Sequence, residues 1–501
     1  MKNRIIYTAI LVAAALCGCN MNQEPYSEVA ASGGKVDDIA GLNSLLTGAY
    51  NGLHDVMYYE WAVTELRSDN TRSRANSSTT QETKLIEQLD QATVTTANEW
   101  VENYWNACYA TIERTNRVLA NLEVAEDETV RGRIEGEAKF LRAHLYFNLV
   151  RLWGGVFLVT ASTDAEESRH MQRSPKEDIY ALIEGDLEHI VDNELLPLPS
   201  EVADGDLGRV THQAAEALLA KVYMTRYAVG EERYMKAGEL LRSAYNAAAG
   251  WVDKYADIFS INNEMNPEII FAVRYLSGNV GLGCPFGTLF GPMNNGNNVI
   301  MGSPKHFNYP SDNLIAAFNA GGGDLRKEVT LKESYYNSTT GQTVTSPTTA
   351  RWCDKFLSPI TREYDGENDW PVIRLADVML LLAEWINETS GPGDEAFGLL
   401  NRIRERAGLE ALTSAEVSSK SMFRNAVRNE RRLELACENQ RWFDLMRWGT
   451  AVDTVNEYLA GEAFYAGYDY TVNPITEWQV MLPIPLSVTN INPNVAQNAG
   501  Y

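Results

Sequence analysis

Residues 137–153 read EAKFLRAHLYFNLVRLW. Within them Leu141, Leu145, Leu149 and Leu152 recur every three or four positions, with Phe140 and Phe147 alongside. That spacing lays one apolar stripe along a helix, and Gly154-Gly155 supplies its stop. Downstream, Ser174-Pro175-Lys176-Glu177 has the form of a capping box with proline at the first helical position. The helix it opens carries Ile179, Leu182, Ile183, Leu187 and Ile190. Thr211 opens another, with Ala214, Leu218, Val222 and Tyr223 inward and the segment from Tyr234 to Ala249 as its partner. A late pair runs from Ile373 to Asn387, through a Gly391-Pro392-Gly393 turn, into Glu395 to Arg406.

Paired amphipathic helices joined by short turns mark a helical repeat, because no pair buries its apolar face alone. Four pairs begin near Leu42 (returning through Trp100 to Leu122), Arg131, Thr211 and Ile373. Their spacing is irregular and misses the tetratricopeptide consensus, so the fold class is mostly α with a TPR-like body. Two stretches break the pattern. Asp69 to Gln81, rich in Asn, Ser, Thr and Arg, is expected to be a surface loop. Ile261 to Tyr364 is rich in Gly, Pro, Asn and aromatics, with one strand at Pro267 to Val273. Loops this long usually carry function. The helical N-terminal region is taken as residues 19–260 and the looser C-terminal region as 261–501.

The N-terminus speaks to compartment. Lys2 and Arg4 precede an apolar run from Ile5 to Leu16, then Leu16-Cys17-Gly18-Cys19. That order reads as a secretory signal over residues 1–18. Its ending looks like the lipobox of bacterial lipoproteins, which makes Cys19 the acylated residue that tethers the chain. No other apolar run approaches the roughly 20 residues that span a bilayer. Losing residues 1–18 removes two cations and no acid, taking the net charge from −24 to −26. Such acidity opposes nucleic acid as a partner and opposes adsorption to anionic headgroups, so the membrane is met through the lipid alone. Cys108, Cys284, Cys353 and Cys437 stand far apart with no C-x-x-C, and read as buried free thiols.

Several segments, in this order, resemble the SusD/RagB family of Bacteroidetes outer-membrane lipoproteins. Tyr109 to Asn116 and Asn266 to Ala272 fit, as do Pro310-Ser311-Asp312-Asn313-Leu314 with Phe318, Asp324 and Arg326. Ile373 to Glu384, Leu400 to Gly408, and Glu430 to Glu438 running on to Arg447-Trp448-Gly449 carry most of the likeness. Leu482-Pro483-Ile484-Pro485 and Asn492-Pro493-Asn494 close it. The resemblance implies four TPR-like helix pairs with an irregular C-terminal part packed on them. It also implies a cell-surface role: capture of oligosaccharide beside a SusC-like TonB-dependent transporter, with no catalysis.

Motifs for chemistry are missing. No G-x-S-x-G, H-E-x-x-H or P-loop occurs, and no two of the six histidines share metal-ligand spacing. Neither cofactor nor metal is called for. Asp365 to Asp369 is acidic but lacks EF-hand order, and reads as a solvated turn. The Arg/Glu-rich stretch from Arg424 to Arg447 reads as one packed helix, with ion pairs Arg431/Glu434, Glu438/Arg441 and Asp444/Arg447 along its face. In the family prototype, glycan is held by a Trp with an Asn three residues on, an Arg from an earlier loop and aromatics from a later one. Trp100 and Asn103 match the first pair; Arg72 (or Arg74) and Asp69 lie in an earlier loop; Phe286, Phe290 and Phe307 lie in the later one. Trp100 reads equally as a stacking platform or a core ring, and the phenylalanines lean towards packing. The rival readings are a structural lid on the transporter with little glycan affinity, and a lipid-anchored glycosidase. Cys19→Ala is expected to release the protein from membranes without unfolding it; a variant that still fractionates with outer membranes when its transporter is absent contradicts the lipid tether.

Overall fold

The computed structural model describes residues 36–73, 80–163, 165–345, 351–461 and 474–501. The signal segment, Cys19 and Arg74 lie outside them. The apolar stripes are helices α1 (Ile39–Val63), α2 (Gln81–Asp90), α3 (Glu99–Leu119), α4 (Glu128–Trp153), α5 (Lys176–Asp192), α6 (His212–Arg226), α7 (Glu232–Asn246), α8 (Leu375–Ser390), α9 (Asp394–Arg406), α10 (Lys420–Glu434) and α11 (Arg441–Arg447). Side-chain caps fix several starts: Asp38, Asn98, Asp127 and Thr211 each accept from N–H groups of the first turn. α4 stops where Gly154, at φ +75°, turns left-handed and donates its N–H to Val150 O, a conformation glycine enters without strain. α1 packs on α3, α3 on α4, α4 on α5, and so on through α7 against α8, which also takes α9 and α10. The pairs α1/α3, α4/α5, α6/α7 and α8/α9 therefore stack in chain order around one continuous core, as the stripes predict.

Five expectations need correction. α5 begins one residue later than expected: Pro175 stays extended (ψ 149°) outside the helix, and no side chain caps it. The fourth pair is entered from a strand rather than from a longer helix. Ile373 and Arg374 end the strand Trp370–Arg374, which pairs antiparallel with Ile269–Val273 so that Ile269 faces Arg374 and Val273 faces Trp370.

The polar run from Asp69 to Gln81 does not begin as a surface loop: residues 69–73 are at most 2% exposed, while Thr80 and Gln81 are exposed and residues 74–79 lie outside the described residues. Thr71–Arg72 pairs antiparallel with Tyr309–Pro310, and the Asp69 carboxylate takes Arg441 at 2.7 Å and Arg432 at 3.0 Å. The partners of Asp69 come from distant chain, which composition cannot reveal. Likewise the acidic run 365–369 is a clasp, not a solvated turn. Asp365 accepts from Gly278 and Asn279 N–H, Glu367 from Ser277 and Asp369 from Tyr275.

The Arg/Glu-rich stretch is two helices, α10 and α11, because Cys437 (φ +64°) and Asn439 (φ +61°) break it. Of the three expected local pairs only Asp444–Arg447 is made, at 2.9 Å. Arg431 instead pairs with Asp444 and Asp377. Glu434 takes Arg374 (2.6 Å), Arg406 (2.5 Å) and Arg326 (3.1 Å), while Glu438 takes Arg374 and Lys355, each at 2.7 Å. Glu268, on the segment entering the strand Ile269–Val273, accepts from Arg374 and Arg406. The four cysteines are buried free thiols, and among the described residues no helix is long and apolar enough to cross a membrane.

Glu65, just beyond α1, is fully buried; its Oε1 accepts from Asn70 Nδ2 and Cys437 N–H, and among the described residues no cation stands within ion-pair distance of it. Burial raises its pKa from 4.5 to about 7. Between those values the folded chain holds a proton that the unfolded chain has lost, so this group's contribution to stability falls as pH rises through that window. Glu65→Gln is expected to gain on the wild type by roughly 3 kcal/mol between pH 4 and pH 8, read from paired urea melts. Parallel stability curves for the two proteins contradict this.

Candidate functional site

Trp100 stands in the first turn of α3, where Asn98 accepts from the N–H groups of Trp100 and Val101. The α1–α3 contact brings it against three rings of α1. Tyr58 lies nearly parallel (centroids 5.9 Å, 10°), and Tyr59 (5.2 Å) and Trp61 (5.4 Å) meet it edge-on. Only 5% of Trp100 remains exposed. Trp61 carries the cluster inward to Phe290 (5.2 Å) and Phe307 (6.2 Å), and Phe290 stacks on Phe286. All three phenylalanines are buried. Aromatic pairs at these separations are favourable beyond the area they bury, so the later-loop rings are the foundation of the cluster and do not reach its surface.

Asp69 and Arg72 belong elsewhere. Asp69 is held by Arg432 and Arg441, which keep its carboxyl down at about 2 against the opposing push of burial. Arg72 is fully buried with its guanidinium over the Tyr309 ring, 4.8 Å from the centroid. Both side chains clamp the two-stranded junction of β1 (Thr71–Arg72) with Tyr309–Pro310. Of the glycan-site candidates among the described residues, Asn103 alone is exposed, one turn along α3 from Trp100.

What the cluster presents to solvent is a set of tyrosines. Tyr58 and Tyr59 are half-buried and Tyr364 is 37% exposed. Burial raises the Tyr58 hydroxyl pKa, and the fields of Tyr364, Glu82 and Tyr59 add to it. Tyr59 is raised by burial and then Asp55, and Tyr364 by burial, Glu82 and Glu363. All three phenols therefore stay protonated in neutral water, able to donate and accept. Tyr364 is fixed by its own N–H, which donates to Thr288 Oγ1 at 2.8 Å, and by a left-handed backbone (φ +61°). Ring faces for the C–H surface of a sugar, with Asn103, Asp55 and Glu82 as hydrogen-bonding handles, give a platform rather than a pocket.

Two family models match this chain, one described as the SusD family over residues 324–501 and one as starch-binding associating with outer membrane over residues 21–224. The chain belongs to the SusD family. Its similarity to the SusD-like protein P25 of Formosa agariphila is 27% identity, covering 100% of this chain and 99% of that one. The starch-binding protein SusD of Bacteroides thetaiotaomicron is 25% identical over 84% of this chain and 82% of its own. Among solved structures, a laminarin binding SusD-like protein superposes with a TM-score of 0.75 at 23% identity, covering 93% of this chain and all of that one. Surface glycan-binding protein A from Bacteroides thetaiotaomicron in complex with laminarihexaose does so with 0.75 at 19% identity, covering 92% and 99%. These likenesses show that the SusD fold is kept almost end to end.

With its ring packed between α1 and α3, Trp100→Ala is expected to cost roughly 3–5 kcal/mol in urea unfolding, whereas Asn103→Ala, on the exposed side, should stay within about 0.5 kcal/mol. A Trp100→Ala protein as stable as the wild type contradicts the burial of this ring.

Proposed function

We propose that this SusD-family chain is a cell-surface oligosaccharide-binding lipoprotein without catalytic activity, tethered to the outer membrane through Cys19 and working beside a SusC-like TonB-dependent transporter. The observation that carries the binding reading is the pair of half-buried rings Tyr58 and Tyr59 seated on Trp100, with Asn103 on the next turn and the exposed Tyr364 held to Thr288 of the segment that carries Phe286 and Phe290. Sugar recognition asks for aromatic faces against pyranose C–H bonds and for planar polar groups at the rim, and this surface supplies both. The family relatives named for starch, laminarin and surface glycan binding support the ligand class. The description of association with the outer membrane supports the location, to which the Leu16-Cys17-Gly18-Cys19 ending adds a means of attachment. The transporter partnership is inferred from the family alone.

Binding is tested on the isolated protein without its signal segment, by titration calorimetry against a panel of bacterial, algal and plant oligosaccharides. At least one is expected to bind. Tyr59→Ala should lower its affinity about thirtyfold, as loss of a hot-spot ring costs on the order of 2 kcal/mol, with the helical spectrum retained. A wild type that binds nothing in the panel favours the structural-lid role; a Tyr59→Ala protein that binds normally contradicts the platform. Release of reducing sugar by the wild type contradicts the non-catalytic reading.

A further inference from the structure

Apart from the main core, Leu314, Phe318, Leu331 and Leu433 share a small apolar cluster with two cysteines, Cys353 and Cys437. Each cysteine is 1% exposed, and their two thiols are hydrogen-bonded to one another. The remaining thiols, those of Cys108 and Cys284, lie in the main core.

The backbone on both sides of this pair is fixed. Lys332 N–H donates to Trp352 O at 2.9 Å, Trp352 N–H returns a bond to Lys332 O at 3.0 Å, and Asp354 N–H donates to Val329 O at 2.7 Å. On the other side, Cys437 N–H donates to Glu65 Oε1 at 2.9 Å. Lys355 joins the two strips: its ammonium donates to Ala436 O and to Glu438 Oε1, each at 2.7 Å. Lys355, two residues on from Cys353, thus grips the residues on either side of Cys437. The sulfurs are brought together by the fold, and only a short approach separates such a thiol pair from an S–S bond of about 2.05 Å.

We propose that Cys353 and Cys437 form a disulfide when the chain folds in the presence of a disulfide oxidant, either a small disulfide such as oxidised glutathione or a protein of the dithiol–disulfide exchange class. One cysteine thiolate attacks a sulfur of the oxidant, whose S–S bond breaks and releases one thiol. The second thiolate attacks the mixed disulfide, forming the Sγ–Sγ bond and releasing the other thiol. The two cysteines lose two electrons and two protons, and the oxidant gains them. The step belongs to folding. In the closed cluster the hydrogen bond with Cys353 and then burial hold the Cys437 thiol well above its ordinary pKa, and only the thiolate reacts. The bond closes the long loop from 353 to 437, which restrains the unfolded chain more than a short loop would. It also fastens the strip that carries Lys355 to the turn between α10 and α11. Disulfide oxidants are met in the compartments through which an exported chain folds; that setting rests on the export proposed above, whereas the pairing itself does not.

The test takes the chain from residue 19 onward with Cys19→Ala, unfolds it in urea with reductant, and refolds it with either oxidised glutathione or dithiothreitol. Free thiols are alkylated in denaturant, and the digested chain is weighed by mass spectrometry. After refolding with oxidised glutathione, a linked pair of peptides holding Cys353 and Cys437 is expected, lighter by two hydrogens than the reduced peptides together, with Cys108 and Cys284 alkylated. The oxidised protein should melt a few degrees above the reduced one, a gain that Cys108→Ala keeps and Cys353→Ala loses. Dithiothreitol should open the link quickly in urea and far more slowly in the folded protein. Alkylated Cys353 and Cys437 after refolding with oxidised glutathione, or a link from either of them to Cys108 or Cys284, overturns the proposal. Where Cys353→Ala fails to fold, the linked peptides of the parent chain decide alone.

Discussion

Arg374 is the residue on which most of the architecture converges. Its guanidinium is 2% exposed and meets Glu268, Glu434 and Glu438, while Arg406, Arg326 and Lys355 complete the charge on the same carboxylates. Charges this deep are costly unless every partner is present, so the set is an all-or-none constraint: removing one member of such a group typically costs about 3–5 kcal/mol. The partners come from far apart in the chain. Glu268 precedes the strand Ile269–Val273, Arg374 ends the strand paired with it, Arg406 ends α9, and Glu434 and Glu438 flank the end of α10. Satisfying Arg374 therefore fixes where α8 begins and how the fourth helix pair meets the third.

The same logic reaches the tyrosine platform. Asp69 is bound by Arg432 of α10 and Arg441 of α11, and Glu65 accepts the Cys437 N–H. These contacts pin the chain just after α1 to the charged lattice, and α1 is the helix that presents Tyr58, Tyr59 and Trp61. Burying the paired phenylalanines Phe286 and Phe290 beneath Trp61 adds apolar support from the other side. A platform of rings held in this way loses little side-chain freedom when a ligand arrives, which favours binding by a shallow surface.

Much of this was legible in the sequence because it is local. Stripes at helical spacing, Gly154, Thr211 and the Gly391-Pro392-Gly393 turn locate the helix pairs, and the ordered motifs from Tyr109 to Asn494 point to the family. What escaped is non-local. The pairs Arg431/Glu434 and Glu438/Arg441 looked right at three-residue spacing, yet their charges are claimed by residues tens to hundreds of positions away. Asp69 and Arg72 looked like loop residues because polar composition cannot distinguish solvent from buried partners. Trp100 and Asn103 were found as neighbours, but only packing shows that Trp100 lies under the surface while Tyr58 and Tyr59, passed over in the sequence, and Tyr364 lie on it.

The central claim is that these tyrosines, and not the deeper residues beneath or beside them, receive the sugar. Crystallographic difference density for a bound oligosaccharide tests it most directly. The account predicts a pyranose ring stacked on Tyr58, Tyr59 or Tyr364 with a hydroxyl within hydrogen-bond reach of Asn103. An oligosaccharide seated at the Asp69–Arg72 junction or against an uncovered Phe286, Phe290 or Phe307, with the tyrosine platform bare, contradicts it.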